Sequence, residues 1–165
     1  MPIMRMQVTK FFYIFFKFLA AFTFLWFAHC IGDYSLQTKS VALYKSKSFL
    51  ICLIHASVWT GIMLICFALV ARFGLFWNTP QGIKTDVLKW HAFLIVGYLL
   101  LLSHLVIDYG KIYTCFFPAL PDDLSHFNPF TQQLLLIDQT LHSISIIICY
   151  FVFGLVQGKH QSSDF

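Results

Sequence analysis

Four apolar runs, each long enough to cross a bilayer as a helix, constrain this chain more than any other feature. A hydrocarbon core of about 30 Å needs about 20 helical residues, and such runs occupy residues 11–31, 49–73, 90–110 and 133–156. Backbone polar groups in lipid must be satisfied within the protein, which leaves helices or closed barrels. The runs lack the alternation and turn signals of barrel strands, so helices are expected. The expectation is an all-α integral membrane protein, a four-helix up-down bundle, with residues 1–165 as a single transmembrane domain. Composition agrees. The chain is 59% hydrophobic and 11% charged, whereas soluble domains run near 45–50% apolar and about 25% charged. Its mean hydropathy is +0.75, which excludes both an ordinary soluble domain and a disordered chain.

The first run follows a basic start (Arg5, Lys10) but is too long for a signal-peptide core. It contains Lys17 and lacks an A-x-A cleavage site, so it is expected to stay attached. With four spans both termini share a side. That side carries Arg5, Lys10, Arg72, Lys84, Lys89 and Lys159, against Lys39, Lys45, Lys47 and Lys111 opposite. The six-to-four split points to cytoplasmic termini in a multi-pass protein of the bacterial inner membrane. The net charge of +4 is scattered, so lipid, not nucleic acid, is the expected partner. Five cysteines without C-x-x-C or framework spacing read as small apolar residues. The prolines between Tyr113 and Thr131 (Pro118, Pro121, Pro129) mark that segment as a loop.

Polar residues at the ends of the apolar runs carry the chemistry. The chain has no Glu, yet His29-x3-Asp33-x3-Gln37 leaves the first run and His55 enters the second. His104-x3-Asp108 leaves the third, and Asp138-Gln139-x2-His142 enters the fourth. A charge at the bilayer centre costs about 2.5–3.5 kcal/mol on insertion scales, so such residues normally have a purpose. Residues i and i+4 of a helix lie about 40° apart in projection, so each His/Asp pair shares a face. In an up-down bundle these four helix ends also fall on one side of the membrane, which the local motifs did not require. The expectation is one pocket formed by His29, Asp33, His104, Asp108, Asp138 and His142, with Gln37, His55 and Gln139 as supporting or substrate-contacting positions.

Imidazoles and carboxylates without organised thiolates suit a divalent metal, Zn²⁺ first, with Mn²⁺ or Fe²⁺ as alternatives. His29, His104 and His142 are the leading ligands. Asp33, Asp108 or Asp138 completes the sphere, and an unligated one of these three serves as catalytic base. The favoured activity is metal-dependent hydrolysis of a lipid or lipid-linked substrate at one membrane face. Competing readings are a proton or metal-ion relay, a bis-His haem bundle, and a non-catalytic interaction factor in which the polar groups bind the helices together. His91 beside Trp90 reads as an interface marker, His126 as a loop residue and His160 as solvated. Trp26, Trp59, Trp77 and Trp90 read as interface or packing aromatics.

The ordered set of His29-x2-Gly32-Asp33-x3-Gln37, His55, His104-x3-Asp108 and Asp138-Gln139-x2-His142 resembles an uncharacterised family, a domain of unknown function. Its members are small bacterial and phage membrane proteins. The resemblance runs from about residue 24 to 152 and implies a polytopic membrane fold without an assigned activity. A looser similarity, to membrane-bound metal-dependent hydrolases with His and Asp at helix ends, implies the hydrolytic reading. The chain lacks the H-E-x-x-H of many zinc proteases.

Overall fold

The computed structural model describes residues 2–35, 38, 41, 44–45, 47–76, 90–109 and 129–158. Four long helices follow one another: α1 (Pro2–Cys30), α2 (Phe49–Arg72), α3 (Trp90–Asp108) and α4 (Pro129–Gly158). A single π-helical turn, Ile31–Ser35, continues α1. Each helix has a stretch long and apolar enough to cross a membrane: Gln7–Asp33, Phe49–Arg72, Trp90–Asp108 and Leu135–Val156. No strand occurs among the described residues.

Helices α1 and α2, α2 and α3, α3 and α4, and α4 and α1 pack against one another, closing a ring. Chain direction alternates. The turn after α1 meets the start of α2 through Asp33 and His55. Helix α1 runs antiparallel to α4, with His29 at its end against Gln139 and Phe18 at its middle against Tyr150. This is the up-down bundle expected of four successive spans.

One departure concerns Pro129. It opens α4, and the helix covers 129–131, where the proline content suggested loop. The first helical position has no intrahelical use for an N–H, and the proline ring presets the required φ, so proline there starts a helix. The rest of that expected loop lies outside the described residues.

Burial is inverted on the outside, as lipid contact requires. Phe11, Phe16, Phe27, Ile65, Leu94 and Leu136 are all exposed. The interior divides into two layers. Leu25, Met63, Phe67, Leu100, Ile146 and Phe153 fill the middle and one end. There Phe76 stacks on Tyr150 and Phe153, and the Tyr150 hydroxyl donates to the Leu75 carbonyl at 2.9 Å. The other end is polar. Of eight buried polar or charged residues among those described, six (His29, Asp33, His55, His104, Asp108 and His142) gather there.

Candidate metal centre

The i, i+4 pairs meet as helical geometry requires. His104 Nε2 is 3.1 Å from Asp108 Oδ2, His142 Nδ1 is 3.7 Å from Asp138 Oδ2, and His29 Nε2 is 3.9 Å from Asp33 Oδ2. The π turn after α1 matters for the last pair. Its wider winding re-aims a side chain relative to the helix before it, and Asp33 reaches α2 and α3 as well as His29. Gly32 in the same turn leaves room for Trp59, since a Cβ there would stand 2.8 Å from Trp59 Cδ1.

Asp33, His55, His104 and Asp108, all buried, each offer a ligand atom within 4.8 Å of the others. His55 Nε2 is 3.1 Å from Asp33 Oδ1 and 3.7 Å from Asp108 Oδ2, and His104 Nε2 is 4.0 Å from Asp33 Oδ1. Ligands held about 2.0–2.1 Å from a tetrahedral ion stand about 3.3 Å apart, so the cage needs little contraction to hold one. Two overlapping groups flank it: His29, Asp33 and His142, and Asp108, Asp138 and His142.

Two groups of fixed polarity assign the protons around this cage. The Trp59 indole can only donate, and Nε1–H gives its proton to His29 Nδ1 at 3.0 Å. His29 Nε2–H then donates to Gln139 Oε1 at 3.0 Å, and Gln139 Nε2–H to Asp138 Oδ2 at 3.0 Å. On the other side the Asp138 backbone carbonyl can only accept, so His142 Nδ1–H donates to it at 3.0 Å. A neutral His142 therefore accepts at Nε2 from His104 Nδ1–H, also 3.0 Å away. With both imidazoles neutral, that leaves a lone pair on His104 Nε2, which lies 3.1 Å from Asp108 Oδ2 but off the line of a hydrogen bond. Two buried acceptors so close together are reconciled by a proton between them or by a cation beside them. The Trp59 ring also lies over His104, centroids 4.3 Å apart and planes at 23°.

Lys45 enters from the connection between α1 and α2. Its Nζ is 2.8 Å from Asp108 Oδ2, off the line of a hydrogen bond, and 3.4 Å from Asp33 Oδ1. Burial works to lower the ammonium's pKa, but the carboxylates of Asp108 and Asp33 outweigh it and hold Lys45 above the ordinary lysine value.

Of the residues expected to form one pocket, the side chains of His29, Asp33, His104, Asp108, Asp138 and His142 lie in one contiguous cluster, with His55 and Gln139. Gln37, His126 and His160 lie outside the described residues, and His91 is exposed beside Trp90. The roles shift in three ways. His55 stands among the four closest donors, not behind them. Lys45, read as a topology charge, pairs with two site carboxylates. Trp59, read as an interface or packing aromatic, is buried against three imidazoles. A signal for Trp59 existed: it stands one turn after His55, at i+4, on the same face of α2.

A family model described as a protein of unknown function (DUF3307) matches residues 21–164. The chain belongs to that family. The matched stretch takes in every residue of the polar cluster. No curated protein and no solved structure matches the chain.

Proposed function

We propose that this chain is a membrane-embedded metalloprotein that holds one divalent cation between His55, His104, Asp33 and Asp108, and that it hydrolyses a lipid ester or phosphate at the membrane face. The observation that carries the metal reading is the grouping of four buried donors, Asp33, His55, His104 and Asp108, with ligand atoms within 4.8 Å of one another. Charge supports it. Asp33 and Asp108, the two buried carboxylates of the cage, together carry the charge that one divalent ion neutralises. Uncompensated charge is expensive in so dry a setting.

His142 and His29 take supporting roles in this reading. His104 Nδ1–H is held by His142 Nε2, the hydrogen bond that orients a ligating imidazole. His29 is a poor ligand, because Trp59 occupies Nδ1 and Nε2 carries the proton. The two imidazoles suit Zn²⁺, and the carboxylates admit Mn²⁺ or Fe²⁺.

When bound, such an ion supplies a Lewis acid that lowers the pKa of a coordinated water to about 7 and polarises a carbonyl or phosphoryl oxygen. Asp138 stands outside the four-donor cage, and its side chain is 19% exposed. Gln139 Nε2–H fixes its Oδ2, so the carboxylate is positioned to accept a proton from an attacking water. The polar layer lies where the four spans end or begin, within reach of headgroups as well as water. A through-membrane relay is disfavoured, since outside the polar layer the buried residues are mostly apolar (Leu25, Met63, Phe67, Leu100, Ile146 and Phe153). Lys17 and Thr60 are the buried polar residues elsewhere among those described.

The test is elemental analysis of detergent-purified protein before and after chelation, followed by hydrolysis assays on a panel of phospholipids. About one equivalent of a divalent ion is expected, lost with the chelator together with turnover. Well-folded protein free of metal, prepared without chelators, would refute the reading and favour the relay. We further take the termini to be cytoplasmic in a bacterial inner membrane, from the distribution of basic residues. Reporter fusions at the C-terminus test that, and a periplasmic signal overturns it.

A further inference from the structure

A divalent ion in the cage and the Lys45 ammonium require the same atoms. Nζ leans on Asp108 Oδ2 and Asp33 Oδ1, and these are the oxygens nearest His104 Nε2 and His55 Nε2. Without metal, Lys45 partly neutralises two buried carboxylates. With metal, the same position puts an ammonium against a dication whose ligands are already engaged, and like charges at such range in a dry site repel strongly.

The side chain is able to leave. It is carried on the connection between α1 and α2, outside the spanning segments, and 19% of it is exposed. A flexible four-carbon stem allows the charged end to move toward the headgroup layer while the methylenes stay on apolar surface. Displaced by a short distance, Lys45 becomes a second cation beside the first. A group that satisfies both at once needs several oxygens and a negative charge. A phosphate has these; a neutral carboxylic ester does not.

Resting on the metal reading above, we propose that Lys45 is a displaceable counter-cation that gives way to the divalent ion and then anchors the phosphate group of a lipid substrate. The substrate class is thereby narrowed from lipids in general to phosphate-bearing lipids.

Acylation of lysines in the full-length wild-type protein, read by mass spectrometry, tests this without any variant. Lys47, exposed and two residues away, is the internal reference. Four samples are compared: metal-free, Mn²⁺-loaded, and Mn²⁺-loaded with either inorganic phosphate or micellar short-chain phosphatidic acid. Bound Mn²⁺ is measured in each. Lys45 is expected to react slowly without metal and about tenfold faster or more with it, as a shift from mostly paired to mostly free demands. Phosphatidic acid is expected to restore protection. Protection by inorganic phosphate as well supports recognition of the phosphate itself, whereas protection by inorganic phosphate alone overturns a lipid substrate. Mn²⁺ bound with Lys45 still protected overturns the proposal and leaves the metal reading standing. Exposed Lys45 that neither probe protects overturns the anchoring role. Failure to bind Mn²⁺, Zn²⁺ and Fe²⁺ alike defeats the metal reading itself.

Discussion

The indole Nε1–H of Trp59 donates to Nδ1 of His29 across 3.0 Å, joining α2 to α1 inside the polar layer. Because tryptophan cannot accept at that atom, the bond fixes the His29 tautomer and, through Nε2–H, the orientation of Gln139. Trp59→Phe removes the donor and leaves a buried acceptor unpaired. The expected loss is about 1–3 kcal/mol of stability for the orphaned group alone, read from thermal unfolding in detergent. Metal content should survive, because His29 is not among the four donors. His29→Gln should likewise retain the ion, and its loss there would return His29 to the ligand set.

Gly32 and Trp59 form a second dependent pair. A methyl group at residue 32 would meet the indole at 2.8 Å, so Gly32→Ala must push the ring or the π turn. A rigid, buried ring held by its own hydrogen bond cannot yield cheaply, and about 1–3 kcal/mol of destabilisation is expected, the usual cost of overpacking. Combining Gly32→Ala with Trp59→Phe should cost less than the sum of the two, since the smaller ring makes room. Additive losses would place the strain elsewhere.

Much of this arrangement was legible in the sequence, for reasons that also explain what was not. The spans follow from length and apolarity. The His/Asp pairs follow from i, i+4 spacing, and their shared membrane side from alternating chain direction. These are local or topological properties. Lys45 is different: it sits in a connection, where no periodicity reports direction, and a lysine near a span end reads equally well as topology charge. His55 has no i+4 carboxylate in its own helix, only Trp59, and its partner Asp33 comes from α1. The indole on His29 Nδ1, which sets His29 behind His55 in the proposed ligand set, is a contact between residues 30 positions apart that no local pattern reports.

The four-donor cage predicts a graded series in metal content. His104→Ala and Asp108→Asn each remove an atom of the unpartnered pair and should abolish stoichiometric binding. His55→Ala should do the same, which separates the present assignment from one in which His55 only supports. His142→Ala removes the group that holds His104 Nδ1–H, and loss of such an outer partner typically lowers affinity by 10–100-fold without abolishing it. Asp138→Asn should keep the ion and lose turnover. His91→Ala, at an exposed position beside Trp90, should change neither. Competition with a chromophoric chelator measures the whole series, and equal loss at His142 and His104 would argue for a direct role of His142.

Lys45→Met separates the stability of the metal-free protein from that of the loaded one. In the metal-free protein the change strands Asp33 and Asp108, both buried, without their cation, and breaking a buried pair by removing one partner typically costs about 3–5 kcal/mol. Thermal unfolding after chelation should therefore occur at a clearly lower temperature in the variant than in wild type. In the loaded protein the dication replaces the missing charge, so the two unfolding temperatures should converge. The same reasoning fixes the sign for binding. Wild type must surrender an ion pair before the metal enters, whereas the variant has none to surrender, so the variant should bind the divalent ion more tightly. Weaker binding in a folded Lys45→Met protein would mean that the ammonium helps hold the carboxylates in place for the metal, and that the two cations cooperate where competition is expected.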